Sequence, residues 1–581
     1  MTPLTFLFNK SNPYGISKDI EGMTAALEKH LNLKARYADP LEVPFPTDIL
    51  VHVEIPIYSW MPWANKNVLV VNPEWFQEAW LPYMSRFTAV LYKDRLSAEE
   101  AVAKGHVTHE QVRVVPWGCP RPDTFEKRRV PKGTSDTGFV WFLAGSESKR
   151  AYVPKMLKMW RESYPPLRIY SVEPVDLSGA TVPPNVRFEV KDLDTKMKTG
   201  LAEFFRGHIG CSVAEGFSYV AAEAEWAGAF TILTDLNCFL CDYSDQAGVH
   251  IISRAAEVLE DPLAAAIAAF EAADLDAIAE VRKSRAAERY ETFLETYART
   301  IREISRQETK PLGQLPPILL PEACPPISIV TLLYNRRKFF DLACHSIMVT
   351  DYPKDKIEWI IVEDSDSPNE DASDRVVAVA ESAAPVRVVY VPLRSKHSVA
   401  QKRNLGVAKA SSEIILMMDD DDHYPATSFR RRVAWLTQHP WKPSCVTATT
   451  IACYDLLKGI SAVNTPPLGL PLGQRISEAT LAFYKNWWVH RGFPTDIQVG
   501  EGEEFLTGRE HDVLEIPPQQ IIVAFSHGTN TSSRRIPSGA EIKPGCFWGF
   551  PKEFLMFIHA LAGVNIVEES EVGASVANGS A

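Results

Sequence analysis

The chain has no second CxxC pair to accompany Cys238 and Cys241, and no cluster of histidines beside them. A zinc site built on paired cysteines is not expected, and the nine scattered cysteines read as reduced core thiols. Apolar stretches of bilayer length are missing too; the best late one, Phe554–Val567, is short and contains His559. Met1–Phe6 carries no cationic segment ahead of an apolar core, so a cytoplasmic protein with no membrane span is expected. There is no excess of positive charge either. Lys and Arg number 61 against 73 Asp and Glu, a net charge of −12, which argues against a nucleic-acid coat but leaves room for a local basic groove. Short-period repeats are absent, which sets solenoids aside.

What is present is an ordinary globular composition, 46% hydrophobic and 23% charged, in a 581-residue chain too long for one core. The segment Pro311–Pro326 is rich in proline and carries only one charge, Glu322, so it reads as a stiff linker between two halves. Ahead of it, Ala255–Ile304 has helical spacing and good helix formers. The expected organisation is two Rossmann-like units at 1–130 and 131–310, a linker at 311–326, a third α/β unit at 327–568 and a disordered tail at 569–581.

The most informative feature is the run of four aspartates, Asp419 to Asp422. They follow the apolar Ile414–Met418 and are closed by His423-Tyr424-Pro425. An apolar run of that length reads as a buried strand, with the acids where it leaves the sheet. Four like charges repel unless a cation sits among them, and hard oxygen ligands suit Mg²⁺ or Mn²⁺. A solvated acidic turn is the plainer alternative. From Ile327 onward, strands Ile327–Thr331, Ile357–Val362, Val386–Val391 and Ile414–Met418 alternate with helices near 337–349, 374–382 and 399–410. Such alternation predicts a largely parallel sheet with helices on both faces, whose ligands gather at the carboxyl ends of the strands. Tyr334-Asn335, Glu363-Asp364 and Asp419–Asp422 lie at those ends and define a binding crevice.

The order of these elements resembles the GT-A fold of family-2 glycosyltransferases. The resemblance rests on Ser328–Asn335, Ile360–Ser365, Ala400–Gly406 (an A-x-x-R-N-x-G pattern) and a D-x-D-D motif at Asp419, Asp421 and Asp422. It implies that Tyr334, Asn335, Glu363, Asp364, Asp419 and Asp420 contact a nucleotide-diphosphate sugar and that Asp421, Asp419 and Asp422 hold Mn²⁺ or Mg²⁺. Arg403 is read either as a partner of the donor's phosphates or as an ordinary helix residue. Downstream, Gly500–Leu506 resembles the family's acidic loop, which makes Glu504, then Glu503, the candidate catalytic base. His527, after the apolar Ile521–Phe525, reads as a further metal ligand or as a turn histidine. Trp487 and Trp488 read as planes for an acceptor sugar or as packed core.

The first half alternates as well, with strands expected at 4–8, 49–53, 68–71, 88–91, 112–115, 138–145 and 167–172. Ser212–Ala224 resembles the S-x-x-E-G-F-x-x-x-x-x-E-A signature of family-4, GT-B glycosyltransferases. That implies Glu223 at the donor's ribose, Glu215 at its sugar, Gly216 and Phe217 in the loop beside it, and Lys149 and Arg150 near the pyrophosphate. Ser218 stands where a second glycine is usual, and the stretch around Thr234–Asn237 is poor in glycine. An active transferase and a scaffold are both open for this half. The whole chain is thus expected to be a two-module α/β glycosyltransferase, metal-dependent and inverting in its C-terminal module. The alternatives are a glycan- or nucleotide-binding scaffold and a nucleotidyltransferase; the latter would need a glycine-rich triphosphate loop that Tyr334–Lys338 does not supply. A glycan, a protein, a small molecule or a hydroxylated DNA base all fit as acceptor, the last through the basic clusters at 430–432 and 534–535.

Overall fold

The computed structural model describes residues 3–11, 15–122, 136–255, 261–497, 500–528, 530 and 545–564. The expected boundary at 130/131, the tail 569–581, part of the loop after the first strand, and Arg534 and Arg535 lie outside them. The chain divides into two compact units, one ending at Lys310 and the other running from Pro311 and including residues 43–45.

The first unit contains two six-stranded sheets. One has the order β2-β1-β3-β4-β5-β6, with β1 Leu4–Leu7, β2 Arg36–Ala38, β3 Thr47–Glu54, β4 Ala64–Val71, β5 Ala89–Tyr92 and β6 Val112–Val114. The other has the order β12-β11-β10-β7-β8-β9, with β7 Asp136–Ala144, β8 Leu167–Ser171, β9 Val186–Val190, β10 Phe205–Ile209, β11 Phe230–Thr234 and β12 Val249–Ile252. Every pairing in both is parallel. Helices must therefore cover both faces, which explains why the central strands are near-continuous apolar runs such as Ile49–Val53 and Val68–Val71. The helix Ile16–Leu31 places Ile16, Ile20, Met23 and Leu27 on one buried stripe and ends at Asn32 in the left-handed conformation. The sequence reading placed the residues up to 310 with the unit that begins at 131. The helix Leu275–Ser305 packs Leu275 and Ile278 against the second sheet's core and also buries Phe293, Tyr297, Ile301 and Ile304 in the core of the first sheet, among Leu4, Met23 and Trp117. Spacing revealed an amphipathic helix, but not which sheet its stripe would cover.

In the second unit a seven-stranded sheet has the order β15-β14-β13-β16-β20-β17-β21. Its members are β13 Ile327–Leu333, β14 Ile357–Glu363, β15 Arg387–Pro392, β16 Ile414–Met417, β17 Cys445–Thr447, β20 Ala482–Tyr484 and β21 Val513–Glu515. A smaller sheet holds β18 Ile451–Asp455, β19 Ile460–Asn464 and β22 Val523–Ser526. β13 is flanked by β14 and β16, both parallel to it, so successive connections leave it in opposite directions. A crevice opens at such a switch point, beyond the carboxyl ends of β13 and β16. The later part of the proline-rich segment is docked rather than free: Leu319 and Cys324 are buried, and Tyr352, Lys356 and Arg430 donate to its backbone carbonyls.

Candidate active site

Four segments meet at the switch point. The first is the turn after β13. Asn335 adopts a left-handed backbone, φ 52°, and its side-chain oxygen accepts from the amides of Asp366 and Ser367. That turn directs Arg336 sideways to the aspartate run, where its Nη1 lies 3.2 Å from Asp420 Oδ1 and also donates to Asp421. The second segment is the end of β14. Glu363 accepts from Ser365, the Ala372 amide and Tyr390; Asp364 accepts from Lys402 Nζ at 2.6 Å and the His397 amide at 2.8 Å. Both acids, expected at the donor, hold their own loops in place. Tyr334 and Asp366 are the more open groups there, with Lys396 above the Tyr334 ring at 4.2 Å.

The third segment is the aspartate run. One ligand oxygen each from Asp419, Asp421 and Asp422 lie within 4.8 Å of one another. Asp422 is fully buried and accepts the Phe525 amide at 2.9 Å, which docks β22 against the run. A short antiparallel bridge between His423 and Val523 does the same one residue later. The fourth segment follows from that docking. His527, just past β22, comes to 3.0 Å from Asp421 Oδ2, with its ring stacked on Phe339 and Asn530 Nδ2 at 3.1 Å. Asp419, Asp421, Asp422 and His527 are thus brought together as the sequence reading grouped them.

These residues suit a divalent cation. Asp420 Oδ2 is buried without a hydrogen-bond partner, and burial with the neighbouring Asp421 holds that carboxyl well above the usual aspartate range. Arg336, itself kept protonated by the aspartates against the cost of burial, pairs with Asp420 and Asp421, while Arg403 and Lys402 stand near the run but are paired with Glu501 and Asp364. The cluster therefore retains a deficit of positive charge that a metal ion would fill.

The acidic loop is arranged differently from expectation. In the helix Glu501–Leu506, Glu504 is exposed, Glu503 accepts from Gln474 at 2.7 Å, and the buried member is Glu501, 3.2 Å from Arg403 Nε. Arg403 is neither a surface residue nor an open phosphate partner: it is buried, with Asp419, Glu501 and Glu478 holding its proton against burial. Trp487 needs a correction as an acceptor platform. It is buried among Phe483 and Phe505, Arg509 covers its ring at 3.8 Å and its N–H goes to Asp512, so it is core. Trp488 is half-buried and donates to Asn404 Oδ1 at 2.8 Å.

In the first unit, the two glutamates of the signature already have cations. Glu215 pairs with Lys149 at 2.7 Å, and Glu223 pairs with Lys198 at 2.8 Å and with Lys18. Burial pushes Glu223 up, but the two lysines outweigh it and hold it at about 2. Arg150 pairs with Glu173 at 2.9 Å. Gly216 lies against Asn72, whose Oδ1 would be 2.1 Å from a Cβ at that position, and Phe217 packs edge-on to Tyr219. Arg336, Asn530, Lys402, Glu501 and Glu478 were given no role by motif reading, although Arg336, Lys402 and Glu501 lie in the cationic turn after β13, the Ala400–Gly406 pattern and the acidic loop Gly500–Leu506.

No curated protein matches the sequence. Among solved structures, the mannosyltransferase PcManGT from Pyrobaculum calidifontis, in complex with GDP-Man and Mn²⁺, is 18% identical, with 37% of this chain and 60% of that one covered and a TM-score of 0.28. TarS from S. aureus in complex with UDP-GlcNAc is 16% identical, with 35% and 58% covered and a TM-score of 0.27. HepE from Anabaena, in complex with UDP and glucose, is 13% identical, with 52% and 99% covered and a TM-score of 0.38. This chain spans less than two thirds of the length of PcManGT and of TarS. Residues 328–459, a minority of the chain that includes the Asn335 turn, the Glu363-Asp364 pair and the aspartate run, match the Glycosyl transferase family 2 model.

Proposed function

We propose that the protein is a metal-assisted glycosyltransferase that moves a sugar from a nucleotide-diphosphate sugar to an acceptor hydroxyl. The observation that carries this reading is the carboxylate triad Asp419, Asp421 and Asp422 at the switch point, inside the segment that matches the family-2 model. Asp419, Asp421 and Asp422, with His527 beside them, would hold Mn²⁺ or Mg²⁺, which when bound supplies Lewis-acid stabilisation of the departing diphosphate. The chain's own residues do the rest. Tyr334 and Asp366 offer a ring and a carboxylate to the nucleoside at the open end of β13, on a loop held by Lys402 and Asp364. The partly exposed Arg336, beside Asp420 and Asp421, adds positive charge next to the phosphates. A carboxylate must accept the proton of the attacking hydroxyl, and Glu504 and Glu503 are the candidates from sequence.

For the first unit, the reading best supported is a GT-B-like scaffold that binds acceptor or nucleotide rather than a second transferase. Glu215 and Glu223 are occupied by Lys149, Lys18 and Lys198, and the Gly216 backbone is packed on Asn72. Among the described residues no helix is long and apolar enough to cross a membrane. The test is incubation of the full-length protein with Mn²⁺ and a panel of UDP-, GDP- and dTDP-sugars. Release of nucleoside diphosphate above background, lost in Asp421→Asn, is expected. Binding of a nucleotide sugar with no turnover would replace the transferase by a binding protein.

A further inference from the structure

We infer that Glu478, rather than a glutamate of the loop 501–504, is the carboxylate that takes the proton from the acceptor hydroxyl; this rests on the transferase reading above. A base in this role must face the reacting sugar, keep an oxygen open to the incoming hydroxyl, and be held firmly in place. The loop glutamates each miss one requirement. Glu501 is buried and spent on Arg403, Glu503 is bonded by Gln474, and Glu504 stands on the exposed side of its helix. Glu478 stands beside the aspartate run, next to a clamped backbone, with a carboxylate to which no other described residue donates.

Its position follows from chain tracing. Glu478 begins the 3-10 turn Glu478–Thr480 that leads into β20, and β20 lies antiparallel to β16, the strand that ends in the aspartates. Two hydrogen bonds tie that turn to the metal-binding run. The Asp419 amide donates to Tyr424 Oη at 2.8 Å, and the Tyr424 hydroxyl donates to the Ala479 carbonyl at 3.2 Å. Buried Arg432 adds a clamp, donating to Met417 O at 2.8 Å at the end of β16 and to Ala479 O at 3.4 Å. The residue after Glu478 is thus fixed to the residues on either side of the point where β16 gives way to Asp419.

The carboxylate itself is half-buried and accepts no hydrogen bond from another described residue. It lies against the backbone of Gly502, where a Cβ would come within 2.5 Å of Glu478 Oε1 and 2.9 Å of its Cδ. Glycine at that position gives the carboxylate its room. The charged groups around it are Arg403, Glu501 and Asp419; burial raises its affinity for a proton, Arg403 opposes, and the two acids add to the rise. In the step itself the acceptor O–H gives its proton to Glu478, and the oxygen's electron pair forms the bond to the anomeric carbon. The bond from that carbon to the β-phosphate oxygen breaks, and its electrons leave on the nucleoside diphosphate.

The test measures turnover of whichever sugar nucleotide the wild-type protein consumes, alongside its affinity for the matching nucleoside diphosphate. Glu478→Gln is expected to lower kcat at least about 100-fold, with nucleotide affinity within twofold and the acid limb of the kcat/KM pH profile lost. A second variant guards against a merely structural loss. In Glu478→Ala/Gly502→Asp the new carboxylate grows from the backbone into the vacated space, and at least about tenfold of the activity lost in Glu478→Ala should return. Wild-type kcat in Glu478→Gln overturns the assignment, as does a loss matched by an equal loss of nucleotide affinity, or a larger drop from Glu504→Gln. A wild-type protein that consumes no sugar nucleotide would overturn the transferase reading itself, whereas an active wild type with an equally active Glu478→Gln overturns only this one.

Discussion

Lys402→Met removes a buried cation while keeping most of the side chain's bulk. Lys402 Nζ donates to Asp364 Oδ1 at 2.6 Å and to Leu333 O at 3.2 Å, so one ammonium ties the end of β13 to the end of β14. The two side chains are 6% and 0% exposed. At that separation the attraction is about 6 kcal/mol for an effective dielectric constant near 20. Much of it is offset by the desolvation of both ions, and the lysine's own pKa is lowered by that burial despite Asp364. What the substitution exposes is the asymmetry: among the described residues, Asp364 stays buried with the His397 amide as its remaining donor. A stranded buried carboxylate of this kind costs about 3–5 kcal/mol. Native-state hydrogen exchange on the intact protein reads this locally, through the opening free energies of the β13 and β14 amides. The double variant Lys402→Met/Asp364→Leu should recover about 2 kcal/mol relative to the sum of the single changes. A fall below about 1 kcal/mol in the single variant, or strict additivity in the double, would show that the pair is not what holds these strand ends together.

Three further expectations follow from other parts of the molecule. Asp421→Asn leaves His527 and Arg336 without their shared carboxylate, so Mn²⁺-dependent affinity for a nucleoside diphosphate should fall at least about tenfold in calorimetry; retained affinity would remove Asp421 from the metal role. His52 is buried, accepts the Ile57 amide at Nδ1, and is held near pKa 4 instead of 6.5 by burial, against a small rise from Asn67. Its native value lies below its unfolded one, so its stabilisation is complete above pH 6.5 and about 3 kcal/mol is lost as pH falls toward 4; His52→Gln should flatten that part of the urea-midpoint profile, and an unchanged slope would refute it. Gly406→Ala brings a Cβ to 2.4 Å from Val330 Cγ1 and forces the helix Val399–Lys409 off the central strand β13. Thermal unfolding should report about 1–3 kcal/mol lost, partly regained with Val330→Ala, and an unaltered melting temperature would contradict the packing.

Much of the architecture could be read from the chain because it is written in local pattern. Buried parallel strands must be apolar on both faces, so Ile327–Thr331, Ile357–Val362 and Ile414–Met418 stood out, within two residues of the observed strand ends, and the polar residues that end each run marked the crevice. The aspartate run and His527 could be grouped from residue type and position, and the structure brings them together. What stayed hidden depends on which distant segment fills a given space. Nothing local tells that Trp487 meets Phe505 and Arg509, that Glu501 rather than Glu504 turns inward, or that the first sheet is covered by Phe293 and Tyr297 from far along the chain. The acids of the second strand show the same limit. Their type and place were evident, but Glu363 and Asp364 are committed to Ser365, Tyr390 and Lys402, partners at sequence distances no motif encodes.

Arg336 bears on how the aspartate run would hold a cation. With its guanidinium resting on Asp420 and Asp421, the carboxylates have a tethered counter-ion of their own. The aspartates therefore repel one another less than they would without it, and a divalent ion held by Asp419, Asp421 and Asp422 would share its carboxylate field with that guanidinium. Such sharing would lower the apparent affinity for the ion, and neutralising Arg336 would raise it.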